Sequence, residues 1–134
     1  VERAAGLVAR KREIFEWYQE DLSGIDGLTL NHQPDNVKNT YWMVTALINR
    51  MHGFFKEKLM AELDEEGIDS RPMFHPLSSL SAYEGQTEAV LARRRNEVSY
   101  RLSPYGINLP SALCLERSQV QRVAKTLSRL LGES

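Results

Sequence analysis

The sequence predicts an α+β domain, a small and mainly antiparallel sheet with helices packed on it. Apolar residues recur at three- and four-residue steps in residues 7–22, 54–66 and 118–131, which marks amphipathic helices. Short runs rich in β-branched and aromatic residues lie between them. The order along the chain is helix, strand, strand, helix, strand, helix, short strand, helix. With 134 residues, 42% of them hydrophobic, the chain can build one core but not two, so residues 1–134 are read as a single domain.

In residues 7–22, Leu7, Val8, Ile14, Phe15, Tyr18 and Leu22 form the apolar face, and Arg10, Lys11, Arg12 and Glu13 are expected on the solvated remainder. Val1-Glu2-Arg3-Ala4-Ala5 already reads as helix without a capping residue. With Val1 in place of Met, this start is expected to be cut from a longer polypeptide. Ser23-Gly24-Ile25-Asp26-Gly27 breaks the helix, and Leu28-Thr29-Leu30 suits an edge strand. After a turn at Gln33-Pro34-Asp35-Asn36, residues 39–48 carry the strongest strand signal. Strict alternation would set Tyr41, Met43 and Leu47 against Trp42, Val44, Ala46 and Ile48. Both faces are then expected to be covered, one by the domain's own helices and one by something outside this sequence, with Tyr41 and Trp42 in the core.

The helix over residues 54–66 presents Phe55, Leu59 and Leu63 on one face and the carboxylates Asp64, Glu65 and Glu66 to solvent. Gly67 fits the left-handed residue that closes it. In the next stretch, Gly67-Ile68-Asp69-Ser70-Arg71-Pro72-Met73-Phe74-His75-Pro76-Leu77, the prolines push Arg71 and His75 out of the helical region. The chain must therefore travel as an open ribbon displaying a guanidinium, a phenyl ring and an imidazole. Residues 78–85 read as a loop, and Thr87 is placed as the cap of a helix over residues 88–102. Within it Arg93, Arg94 and Arg95 fan over different faces and make no anion clamp. Ser103-Pro104-Tyr105-Gly106 is a turn and Ile107-Asn108-Leu109-Pro110 a short extended piece. The last helix, residues 118–131, buries Val120, Val123, Ala124, Leu127, Leu130 and Leu131.

Several function classes are disfavoured. A net charge of -1 with 26% charged residues gives no field to draw nucleic acid or an anionic membrane. No apolar run is long enough to cross a bilayer and no leader pattern is present, so a cytoplasmic location is expected. Cys114, flanked by Leu113 and Leu115, is alone and expected to be buried. His32, His52, His75 and Cys114 lack metal-ligand spacing, and neither a glycine-rich phosphate loop nor a G-x-S-x-G elbow occurs. Catalytic and metal residues are therefore expected to be absent.

Three stretches together carry a resemblance. Asn39-Thr40-Tyr41-Trp42-Met43, the ribbon from Gly67 to Leu77, and Gly106-Ile107-Asn108-Leu109-Pro110-Ser111 are similar, in order and spacing, to the C-terminal domain of PLP-dependent nucleotide-sugar aminotransferases, the DegT/DnrJ/StrS group. The wording around Arg71 to Leu80 is closest to the perosamine-synthase-like branch. The resemblance implies the small C-terminal domain of a fold-type I enzyme, with residues 1–23 as the connecting helix. An N-terminal large domain of the same polypeptide would carry the Schiff-base lysine and the aspartate under the pyridine nitrogen. Pyridoxal phosphate would thus be the cofactor of the full-length parent, a homodimer, and none would be bound by this chain alone. Lys11, Lys38, Lys56, Lys58 and Lys125 are all read as helix or turn surface.

By the same resemblance the substrates are glutamate and a nucleotide-linked keto-sugar, and Arg71, Phe74 and His75 are the substrate-binding residues. An arginine suits bidentate recognition of a carboxylate or phosphate, and an aromatic face suits a sugar ring. His75 stands where the family often has tyrosine, and Ser78 where histidine is frequent, which leaves the sugar open. Two plainer roles stay open beside these: Arg71 paired with Asp69, Glu65 or Glu66, and Phe74 as core filling. The rival reading of the chain is a free-standing α+β interaction or small-ligand module without catalysis. A bare apolar patch on the first helix or the outer strand face would favour the domain of a larger enzyme; a polar exterior around a closed apolar pocket would favour the module.

Overall fold

The computed structural model of the chain describes residues 2–132. Strands β1 (Leu28–Leu30), β2 (Val44–Ile48), β3 (Arg71–Pro72) and β4 (Gly106–Leu109) form one antiparallel sheet in the order β1-β2-β4-β3. Leu28 lies opposite Ile48, Leu30 opposite Ala46, Ala46 opposite Ile107 and Val44 opposite Leu109. Directly opposed residues share a face, so these apolar side chains line one side of the sheet. Against that side pack α1 (Ala4–Asp21), α2 (Lys56–Glu65) and α5 (Arg117–Leu130), through Ile14, Phe15, Tyr18, Leu59, Leu63, Val120, Val123 and Leu127. The predicted fold class is the observed one. Helices α3 (Thr87–Arg95) and α4 (Glu97–Leu102) contribute no buried residue.

Helices α1 and α5 are also joined by polar contacts. Arg117 forks onto Asp21 at 2.7 and 2.6 Å and reaches Glu20 at 3.2 Å, and the buried Tyr18 hydroxyl donates to Pro110 O at 2.9 Å. Burial pushes the Tyr18 phenol well above its ordinary pKa. The basic cluster expected on the solvated face does something more specific. Arg10 bonds the carbonyls of Leu113 and Leu115, Lys11 that of Ser111, and Arg12 the Asn39 carbonyl and the Gln33 side chain. These cations tie loops down onto α1, and partial burial lowers the pKa of Lys11.

Gly67, with φ 68°, closes α2 as the sequence predicts. Its N–H donates to Asp64 O at 2.8 Å and that of Ile68 to Leu63 O at 2.9 Å, the two bonds of a Schellman motif, with Leu63 and Ile68 both buried.

Several expectations are corrected. Residues 39–48 are not one strand, because Tyr41 takes a left-handed φ of 49° and only Val44–Ile48 pair. The Asn39 side chain holds that kink by accepting from Tyr41 N at 2.9 Å. Parity is thereby broken: Tyr41 turns inward and stacks on Phe15 at 3.6 Å between centroids, while Trp42 stands 60% exposed instead of joining the core. One face of β2 is covered by the domain's own helices, and the other, with Thr45 and Leu47, is only half-buried within this chain. The helix expected over residues 88–102 breaks at Asn96 into α3 and α4, and Thr87 is its first helical residue rather than its cap. Cys114 is exposed, on the loop before α5.

Candidate functional site

The ribbon begins where α2 ends and adds β3 to the sheet edge, with Arg71 opposite Asn108 and Pro72 opposite Ile107. Its backbone is tied at several successive positions. Met73 N donates to Gly106 O at 2.9 Å. The Asn108 side chain, oriented by Thr45 Oγ1 at 2.7 Å, donates through Nδ2 to Pro72 O at 3.2 Å. Lys56 Nζ donates to Met73 O at 3.3 Å, and Ser103 Oγ donates to Phe74 O at 3.1 Å. Three successive carbonyls are thus held by three buried side chains, Asn108, Lys56 and Ser103. Gly106 is required on the opposing strand, because a Cβ there would lie 2.7 Å from Met73 Cβ.

Side chains on this tethered backbone point outward. Phe74 is 67% and Leu77 75% exposed, and His75 is exposed as well. Phe74 meets the ring of Trp42 at 6.4 Å with the planes tilted by 31°, an aromatic pair open to solvent. Exposed Leu80, Tyr83, Val90, Leu91 and Val98 extend the apolar surface over the following turns and onto α3 and α4. Most of the bare apolar side chains therefore lie on residues 74–98 with Trp42, while Leu7 on the first helix and Met51 and Phe55 before α2 are exposed as well. Phe74 as core filling is excluded by its exposure.

Phe74 and His75 wall an open hollow of about 670 Å3 together with Pro76, Tyr83, Ala89 and Asn96. Arg71 does not join them. It lines a separate hollow of about 480 Å3 with Asp69, Asn108, Ser111 and Arg122, and its guanidinium pairs with Asp69 at 3.0 Å. Both partners of that pair are about three-quarters exposed, 77% and 74%, so solvent screens it and it contributes little to stability. A third hollow, about 620 Å3, lies between α1 and β1 and includes Arg12, Glu16, His32 and Tyr41.

Lys56 is the residue that sequence reasoning missed. The sequence places it on the helix surface, yet it is 3% exposed at the first position of α2. A cation there opposes the helix macrodipole, and that misfit was the available signal that its amine has a specific partner. His52 is also structural, its ring nitrogens standing 3.1 Å from Leu131 O and 2.7 Å from Asp26 O. Among the described residues no cluster of three or more His, Cys, Asp or Glu could hold a metal ion, and no helix is long and apolar enough to cross a membrane.

A Schiff-base site for pyridoxal phosphate needs a lysine amine in a cavity wall, facing an acid for the pyridine nitrogen and donors for the phosphate. The lysines here do not fit. Lys56 is turned into the ribbon, Lys11 is bonded to Ser111 O, Lys58 lies over the Phe54 ring at 4.9 Å, and no lysine lines the three hollows.

Comparison with known proteins places this geometry in context. Curated relatives include the GDP-perosamine synthases of Vibrio cholerae, 28% identical over 127 residues, and Escherichia coli O157:H7, 26% identical over 133 residues. These alignments cover 95% and 99% of this chain but only 33% and 34% of the relatives, so the chain spans about a third of their length. Among solved structures, DesI crystallised with its TDP-sugar product superposes with a TM-score of 0.81 at 21% identity, over 97% of this chain and 32% of that one. PseC of Helicobacter pylori, an aminotransferase of pseudoaminic acid biosynthesis, gives 0.83 at 16% identity, over 97% and 34%. At such identities the two structures attest the fold. The model of the DegT/DnrJ/EryC1/StrS aminotransferase family matches residues 1–128, nearly the whole chain, and the chain belongs to that family.

Proposed function

We propose that this chain is the small C-terminal domain of a PLP-dependent aminotransferase that moves an amino group from glutamate to a keto-sugar nucleotide. Its task is closure and substrate contact rather than bond chemistry. The observation that carries the reading is the ribbon: its backbone is fixed by buried side chains while Phe74, His75 and Leu77 are left bare. A domain complete in itself has no reason to hold an aromatic and a leucine rigidly in water, whereas a domain that closes over a substrate does. Phe74 offers its ring face to a sugar, His75 a hydrogen-bonding edge, and Arg71 a guanidinium for a carboxylate or phosphate from the neighbouring hollow.

On this reading residues 1–23 connect to a large N-terminal domain that supplies the lysine for pyridoxal phosphate, and the parent works as a cytoplasmic homodimer. The family membership supports the reading, as does the coverage of one third of each curated relative. The bare apolar surface on residues 74–98 speaks for it over a free-standing module.

The test is kinetic. With the large domain present, glutamate-dependent amination of a nucleotide keto-sugar is expected. Phe74→Ala and Arg71→Ala should each raise KM for the sugar nucleotide about tenfold, near 1.4 kcal/mol, without moving the unfolding midpoint. Transamination by the 134-residue chain alone, or unchanged KM in both variants, would overturn the proposal.

A further inference from the structure

We propose that Lys56 is a positioning residue: from beneath the ribbon it fixes where Phe74 and His75 stand, and it sets affinity for the sugar substrate without touching it. The inference deepens the reading just given and rests on it. Lys56 Nζ has two acceptors, Met73 O at 3.3 Å and Ser103 Oγ at 3.4 Å, and Ser103 Oγ in turn donates to Phe74 O at 3.1 Å. One amine therefore governs two successive carbonyls, the first directly and the second through a hydroxyl.

Those carbonyls belong to the two peptide planes that flank the Phe74 Cα. Each plane is rigid, so pinning both fixes φ and ψ at residue 74 and with them the direction of its Cβ. Among the described residues the Phe74 side chain itself has little to hold it, because it is 67% exposed and the ring it meets, Trp42, is itself exposed. The second plane also carries the amide of His75, so the imidazole is placed by the same clasp.

Packing alone gives no reason for a lysine here. It is 3% exposed, it sits where the helix dipole disfavours a cation, and among the described residues no carboxylate pairs with it. An aliphatic side chain would fill the same space at less cost in desolvation, but would leave the Met73 carbonyl and the Ser103 hydroxyl without their donor.

The experiment uses the full-length aminotransferase and the variants Lys56→Met, Lys56→Arg and Ser103→Ala. Hydrogen exchange is read on peptides covering residues 71–80 and, as an internal reference, on the α5 peptide. Lys56→Met should speed exchange at the Met73 amide, which donates to Gly106 O at 2.9 Å, about tenfold, leave α5 unchanged, and raise KM for the sugar nucleotide about tenfold while kcat and KM for glutamate stay within about twofold. Lys56→Arg should restore most of both effects. Ser103→Ala, a small deletion that carries the test if Lys56→Met does not fold, should act in the same direction through the Phe74 carbonyl alone. Unchanged ribbon exchange, or exchange raised equally in α5, overturns the positioning role. Faster ribbon exchange with an unmoved sugar KM upholds Lys56 as the ribbon's anchor and overturns instead the assignment of substrate contact to the ribbon.

Discussion

Replacing Gly106 with alanine tests how tightly the ribbon is held. The backbone imposes no penalty, since φ is -106°. The new Cβ would stand 2.5 Å from Met73 Sδ, 2.7 Å from Met73 Cβ and 3.1 Å from Leu47 Cδ2. The thioether can swing aside, but Met73 Cβ can move only with its backbone, and that backbone is bonded to Gly106 O at 2.9 Å. Relief of the clash therefore stretches the bond joining the ribbon to β4. Overpacking of this kind costs about 1–3 kcal/mol. Weakening one hydrogen bond adds about 0.5–1.5 kcal/mol, and the lower entropy of the unfolded alanine chain returns about 0.4–1 kcal/mol. The net expectation is a loss of roughly 2–3 kcal/mol, a fall in Tm of roughly 6–15 °C for a chain of this size. Urea denaturation followed by circular dichroism measures it, with Gly6→Ala as the control. Gly6 lies in α1 with no atom within 4 Å of its would-be Cβ, so that substitution should stabilise by about 0.5–1 kcal/mol. A Gly106→Ala midpoint equal to the unmodified protein's would refute the close approach of ribbon and strand.

Gly67→Ala should cost about 1–2 kcal/mol purely through its left-handed φ of 68°, because the nearest atom, Arg122 Nη2, is 3.7 Å from the added Cβ; a loss much above that would point to a clash instead. Tyr18→Phe should be about 1 kcal/mol less stable at pH 8, having lost the bond to Pro110 O. Because the folded-state pKa is raised, the phenol's contribution is complete below about pH 10 and declines by about 1.4 kcal/mol per pH unit above it, so the gap should close by about pH 11. Urea midpoints at both pH values decide, and a constant gap counts against a buried, protonated phenol. Arg117→Lys should cost about 1 kcal/mol, since lysine cannot reproduce the fork onto Asp21, and the double variant with Asp21→Asn should show the coupling.

Where local rules governed, the sequence could be read directly. The apolar period in α5, the closure of α2 at Gly67, and the extended path forced by Pro72 and Pro76 depend on residues within a few positions of one another, and each is found. What escaped depended on distant partners. Nothing near Tyr41 in sequence announces that its ring will stack on Phe15, and that contact accompanies the left-handed kink that turns Trp42 outward. Lys56 looked like any helical lysine because its acceptors lie at Met73 and Ser103. Arg10, Lys11 and Arg12 looked solvated because the carbonyls they hold belong to residues 39 and 111–115. Within the candidate site, the extended path of the ribbon was legible from the prolines, although the sequence left open whether Phe74 faces solvent or core. The separation of Arg71 into its own hollow was not legible, since β3 pairing with β4 decides it.

The clasp at Pro72 also settles how the sheet ends. An edge strand usually exposes a row of donors and acceptors on which another chain can add a strand of its own. At Pro72 there is no N–H to offer, and the carbonyl is already taken by the Asn108 amide. With only two paired residues in β3, that leaves no continuous ladder for a newcomer to follow. Pro72 and the Asn108 amide thus also close this margin of the sheet to strand addition, right beside the bare apolar side chains of residues 74–98.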